Sequence, residues 1–78
     1  MTRRAVFAAQ PYVRRSGVLS AGEAIQSSDE DLVFRRGVKM SDRVAGVAFF
    51  KVTTGPDGDQ WTEVEMLCTT GDVPRAND

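Results

Sequence analysis

Hydrophobic and polar residues alternate most regularly in residues 60–70 (QWTEVEMLCTT). In an extended strand the even positions share one face, which we expect to be the core face, while Glu63 and Glu65 share the other. These core-facing positions are Thr62, Val64, Met66 and Cys68. Residues 43–54 (RVAGVAFFKVTT) are apolar on both faces until Lys51, as is typical of a strand inside a sheet. Turn residues separate the two stretches, so the pattern predicts a β-hairpin, 44–54/60–69, at the core of a sheet.

The N-terminal pattern predicts another strand over residues 3–9, which ends at Pro11. Residues 12–15 either extend this strand after a kink or return as a separate short strand through Ser16 and Gly17. Repeated sequence is also visible here, because YVRRSGV and VFRRGV each place two arginines before glycine and valine. Two copies are too few for a repeat fold, which generally needs about three.

The middle segment contains two candidate helix starts. Ser20 and Glu23 have capping-box spacing, although Gly22 weakens a helix there. The alternative begins at Ser28, continues through an acidic first turn and ends with an arginine pair and Gly37 at the C′ position. That segment is short, and Val33-Phe34 favours a strand. We therefore expect one short helix within 20–28 and a strand through 31–36, with the reverse as the alternative.

These elements predict a small α+β domain: an antiparallel sheet of three to five strands with one short helix. The chain has 78 residues, which predicts a single domain with a small core. We place this domain at 1–71 and a flexible tail at 72–78, because the last residues have nothing to bury. One cysteine permits no internal disulfide, which favours a cytoplasmic protein. No run approaches the roughly 20 apolar residues of a membrane helix, so we expect no membrane partner.

Charge is segregated along the chain, although the net charge is only −1. The blocks 1–18, 19–34, 35–51 and 52–72 carry +4, −4, +4 and −5. Opposite blocks can pair within the sheet or across a homodimer, so the arginine pairs would face neighbouring carboxylates.

The sequence offers little for catalysis. It contains no histidine, and one cysteine cannot form a Cys-rich zinc site. We expect Cys68 to be a buried structural thiol, since it shares the predicted face of Val64 and Met66. No phosphate-binding glycine loop or EF-hand spacing is present. We therefore expect a protein without enzymatic activity, cofactor or metal.

The acidic hairpin is the leading candidate for a binding site. It would present an aromatic side chain among acids to a basic surface of a larger protein, such as a nucleoprotein or nuclease. The candidate partner-binding residues are Asp57, Asp59, Trp61, Glu63 and Glu65. Alternatively, Trp61 packs at the hairpin end across from Phe49 or Lys51. By analogy with small phage-encoded inhibitors of defence nucleases, including anti-CRISPR proteins, we expect an inhibitor or adaptor.

Direct nucleic-acid binding is the alternative function. Arginine suits phosphate, and the candidate residues are Arg14, Arg15, Arg35 and Arg36. A nucleic-acid-binding domain usually has a pI above about 9, whereas this chain has a pI near 5.3. We therefore rank this function below protein binding.

Overall fold

The computed structural model describes residues 4–54 and 62–74. These residues form an α+β domain with one helix and one five-stranded antiparallel sheet, which confirms the predicted fold class. In chain order the elements are β1 (Arg4–Arg15), β2 (Val18–Ala21), β3 (Ile25–Ser27), α1 (Glu30–Met40), β4 (Gly46–Thr54) and β5 (Thr62–Gly71).

The predicted hairpin is confirmed as β4 and β5, and β4 lies inside the sheet between β1 and β5. β5 forms one edge of the sheet. On the far side of β1, two short strands share its length, because β3 pairs with residues 7–9 and β2 with residues 12–15. The connection between β4 and β5, with the candidate residues Asp57, Asp59 and Trp61, lies outside the described residues.

The sequence predicted that the first strand ends at Pro11. This prediction is wrong, because β1 continues to Arg15. The N and O atoms of one strand residue point to the same side of the strand. The carbonyl oxygen of Pro11 accepts a hydrogen bond from the Gly22 N–H (2.9 Å), so its nitrogen faces the interval between β3 and β2. The missing N–H of proline therefore removes no hydrogen bond from the β1–β4 ladder.

The expected order of helix and strand in the middle segment is wrong, and the alternative is correct. Residues 18–21 and 25–27 are strands, and the helix spans Glu30–Met40. Asp29 is the N-cap, since its Oδ1 accepts from the Leu32 N–H (3.2 Å). The acidic residues of the first turn and Lys39 in the last turn suit the helix dipole. The strand preference of Val33-Phe34 is overridden because helical geometry turns Val33 towards the sheet, where it is buried.

The core lies between α1 and one face of the sheet. Its central cluster in the described chain consists of Ala9, Val33, Val47 and Phe49, and Ala48 is also fully buried. Gly37 lies inside the helix rather than at the predicted C′ position, and it is buried against Phe49. A Cβ atom at Gly37 would overlap Phe49 Cε1, so the helix approaches the sheet closely only because this residue lacks a side chain.

The first residue of the predicted tail is attached to the domain. The Asp72 N–H donates to the carbonyl oxygen of Ala45 (2.9 Å), and the Asp72 carboxylate contacts Arg14. Residues 75–78 lie outside the described part of the chain.

We expect Gly37→Ala to lower the free energy of unfolding by about 1–3 kcal/mol, because the added methyl group overpacks the contact with Phe49. Urea unfolding followed by circular dichroism measures this change. Val38→Ala is the control, since Val38 is exposed on the same helix, and it should change stability by less than about 0.5 kcal/mol. Equal stability of Gly37→Ala and the wild type would contradict the packing.

Candidate functional site

The edge strand β5 is the most exposed element of the sheet. Every described side chain from Glu63 to Thr69 is exposed. Three of them are large and apolar: Val64 (62% exposed), Met66 (50%) and Leu67 (40%). Since β5 pairs only with β4 in the described chain, its outer backbone edge is available to a further strand.

The sequence predicted that Val64 and Met66 face the core, and this prediction is wrong. They extend two apolar rows across the sheet: Val6, Val52 and Val64 in one register, and Ala8, Phe50 and Met66 in the next. These rows lie on the face opposite to Ala9 and Phe49, which pack against α1. No described helix or strand covers this opposite face, so the apolar rows end in solvent at β5.

A β-bulge divides β5. Phe49 pairs with Cys68 and Phe50 pairs with Met66, so Leu67 is the extra residue. The bulge turns Cys68 onto the same face as Phe49, away from the face of Val64 and Met66. Cys68 is also exposed, so the prediction of a buried thiol is wrong. Strict alternation fails here because one inserted residue reverses the facing of those that follow.

Glu63 and Glu65 are exposed side by side on the other face of β5, as the alternation predicted. Glu65 is in register with Lys51 on β4, and Glu63 with Thr53. Neither glutamate forms an ion pair with a described cation. Glu63 and Glu65 are therefore exposed and form no ion pair in the described chain, whereas the other three predicted residues of this site lie outside it.

The two arginine pairs lie on different elements. Arg14 and Arg15 end β1, and Ser16 and Gly17 form a two-residue turn into β2 with φ of 51° and 80°. Positive φ at both positions is the geometry of a tight hairpin turn. Arg14 Nη2 donates to Asp72 Oδ2 (3.2 Å), and this is the only ion pair among the side chains that the structure describes. Intramolecular pairing therefore accounts for one of the four arginines.

Arg35 and Arg36 lie on α1 and are exposed. Arg36 takes part in a groove of about 490 Å³, whose other lining residues are Ile25, Lys39, Met40, Asp42 and Arg43. A second groove of about 280 Å³ shares Arg36 and Lys39 and adds Leu32 and Arg35. We call the two together the α1 groove. Lys39 and Arg43 were not singled out in the sequence, since the helix and the turn after it were needed to place them beside Arg36.

The described residues contain no group of three or more histidine, cysteine, aspartate or glutamate side chains that could hold a metal ion. In the same part of the chain, α1 is neither long nor apolar enough to cross a membrane.

Comparison with known proteins finds no family model, curated protein or solved structure that matches this chain.

We expect Cys68 to react with a thiol reagent such as DTNB in the native protein, at a rate close to that in denaturant, because the side chain is exposed. Absorbance at the wavelength of the released thiolate measures the reaction, and Cys68→Ser gives the blank. If labelling requires unfolding, the Cys68 thiol is buried, as the sequence predicted, and its exposure in the structure is contradicted.

Proposed function

We propose that this protein is a non-catalytic module that binds another protein through β5. The observation that supports this function is the exposure of every described side chain from Glu63 to Thr69 on a ten-residue edge strand. A long exposed edge is normally protected by charge, a bulge or a covering element. Here both charge and a bulge are present, while large apolar side chains are left in solvent beside them.

The apolar side chains supply the affinity in this proposal. Full burial of a valine or methionine side chain is worth about 1.5–3 kcal/mol. Val64 and Met66 are 62% and 50% exposed, so a partner that covers them gains a large part of that amount. The half-buried Phe50 and Val52 continue the same surface towards the middle of the sheet.

The glutamates supply the specificity. Glu63 and Glu65 favour a partner with basic side chains along the strand or surface that it brings to β5. An extended segment that adds to a sheet edge gains backbone hydrogen bonds, and its alternate side chains reach both faces of the edge strand. Such a segment would meet glutamates on one face and Val64 and Met66 on the other.

The partner in this proposal is a larger protein with a basic, nucleic-acid-binding surface, and the module acts on it as an inhibitor or adaptor. Asp57, Asp59 and Trp61 belong to the same site by sequence, since they directly precede β5. An aromatic residue next to acids is a common anchor of protein interfaces. A reducing, cytoplasmic location agrees with the single cysteine of the chain.

We expect Glu63→Lys/Glu65→Lys to weaken partner binding at least tenfold, since it places like charge against a basic surface. The measurement is affinity capture with tagged protein from the source cells, quantified by mass spectrometry and followed by titration of the captured protein. The control is Glu23→Lys/Asp31→Lys, which makes the same charge change at exposed positions outside β5. Melting curves establish that both variants are folded.

Loss of binding in the β5 variant alone would support the proposal. Equal binding by both variants, or equal loss, would exclude β5 as the contact. Sedimentation of the purified wild type tests a second copy as the occupant. If the wild type forms a dimer, and Glu63→Lys/Glu65→Lys alters this dimerisation while the control variant does not, then the partner of β5 is another copy of this chain rather than a larger protein.

A further inference from the structure

We propose that the α1 groove binds the phosphate backbone of a nucleic acid, at a site separate from the β5 edge. Four cations line it: Arg35, Arg36, Lys39 and Arg43. All four are exposed, and Asp42 is the one carboxylate among the described lining residues. This concentration of positive charge stands out in a chain whose net charge is −1.

No cation of the α1 groove forms an ion pair with a described carboxylate. Asp31 lies one helical turn before Arg35, at a spacing that allows an ion pair, yet no such pair forms. Arg14, by contrast, lies 3.2 Å from Asp72. The positive potential of the groove is therefore available to an external anion, and exposed cations of one sign raise the local concentration of such a ligand.

The spacing of the cations fits an extended polyanion rather than a single ion. Arg35 and Lys39 are four residues apart on α1, which separates them by about 6 Å along the helix axis. Arg36 lies beside them on the same helix, and Arg43 follows in the turn after it. A row of positive groups at this interval can contact successive phosphates of one strand, and the planar guanidinium groups suit phosphate oxygens.

The apolar lining of the groove gives a nucleotide a second type of contact. Ile25 and Met40 are half-buried at one side of Arg36 and Lys39, and Leu32 is half-buried at the other. Sugars and base faces pack on such side chains while phosphates meet the cations, as in grooves that track a nucleic-acid backbone. A nucleic-acid strand therefore fits the groove better than an acidic protein surface does. Such a surface has carboxylates, but it lacks the regular alternation of charged phosphates with apolar sugar and base surfaces along a strand.

The test is fluorescence anisotropy of labelled 20-nucleotide DNA and RNA, single- and double-stranded, titrated with the full chain at 50 and 200 mM salt. If all four cations contact phosphates, the logarithmic salt slope is about −3.6 for duplex DNA and about −2.8 for a single strand. These slopes correspond to a loss of affinity between the two salt concentrations of about 150-fold and about 50-fold, respectively. Comparison of the four probes identifies the form of nucleic acid that the groove prefers.

Arg36→Gln/Lys39→Gln should weaken binding at least tenfold and reduce the duplex salt slope by about 1.8, since two phosphate contacts are lost. The matched control is Arg14→Gln/Arg15→Gln, which removes the same charge from the other arginine pair that the sequence offered for nucleic-acid binding. It should retain wild-type affinity within about threefold, because neither residue lines the α1 groove. Absence of binding at 50 mM salt would overturn the proposal. An equal loss in both variants, with circular dichroism showing both folded, would also overturn it, because binding would then follow net charge.

The β5 edge and the α1 groove share no residue, so each proposal is tested by its own variants. If the protein binds nucleic acid, but Glu63→Lys/Glu65→Lys loses no partner, the α1-groove proposal stands and the β5 proposal is excluded. The converse result would retain the β5 site and exclude the groove.

Discussion

The contact between Phe49 and Gly37 determines how the helix meets the sheet. The Phe49 ring occupies the space that a side chain at position 37 would need, and it also lies against Phe34, with ring centroids 5.0 Å apart. Removing a buried phenylalanine side chain typically costs about 3–5 kcal/mol, which is a large share of the about 5–15 kcal/mol that stabilises a small domain. With so few fully buried residues in the described chain, the packing of α1 on the sheet depends on this one ring.

Where α1 packs also decides which surfaces remain exposed. The helix contacts β1, β3 and β4, and the sheet face opposite to it has no described cover. β5 therefore keeps an exposed edge, an acidic face and an apolar face within one strand. The outward side of the helix and the turn that follows it carry the basic groove. Parts of two charge blocks thus lie apart in the fold: Glu63 and Glu65 on β5, and Arg35, Arg36, Lys39 and Arg43 on α1 and the turn after it.

The two similar arginine-containing segments show how context overrides local sequence. In the first, Ser16 and Gly17 accept positive φ and form a tight turn after the arginines, so the segment becomes a strand and a hairpin. In the second, the glycine follows directly and lies inside a helix, where its lack of a side chain admits Phe49. The extra serine provides the second residue of the turn, and the acidic N-terminal turn after Asp29 favours the helix in the other copy.

The sequence by itself determined the α+β class, the β4–β5 hairpin and the placement of Glu63 and Glu65 on one face of β5, because alternation and turn residues act locally. It did not determine that residues 30–40 are helical, since the strand preference of Val33-Phe34 and the capping signals nearly balance until Val33 is buried against the sheet. Nor could it place Val64, Met66 and Cys68. Alternation separates the two faces of a strand, but only the tertiary structure decides which face the helix covers, and the bulge at Leu67 reverses the facing of Cys68. The α1 groove likewise required the fold, because Arg36, Lys39 and Arg43 come together only when the helix and the turn after it have formed.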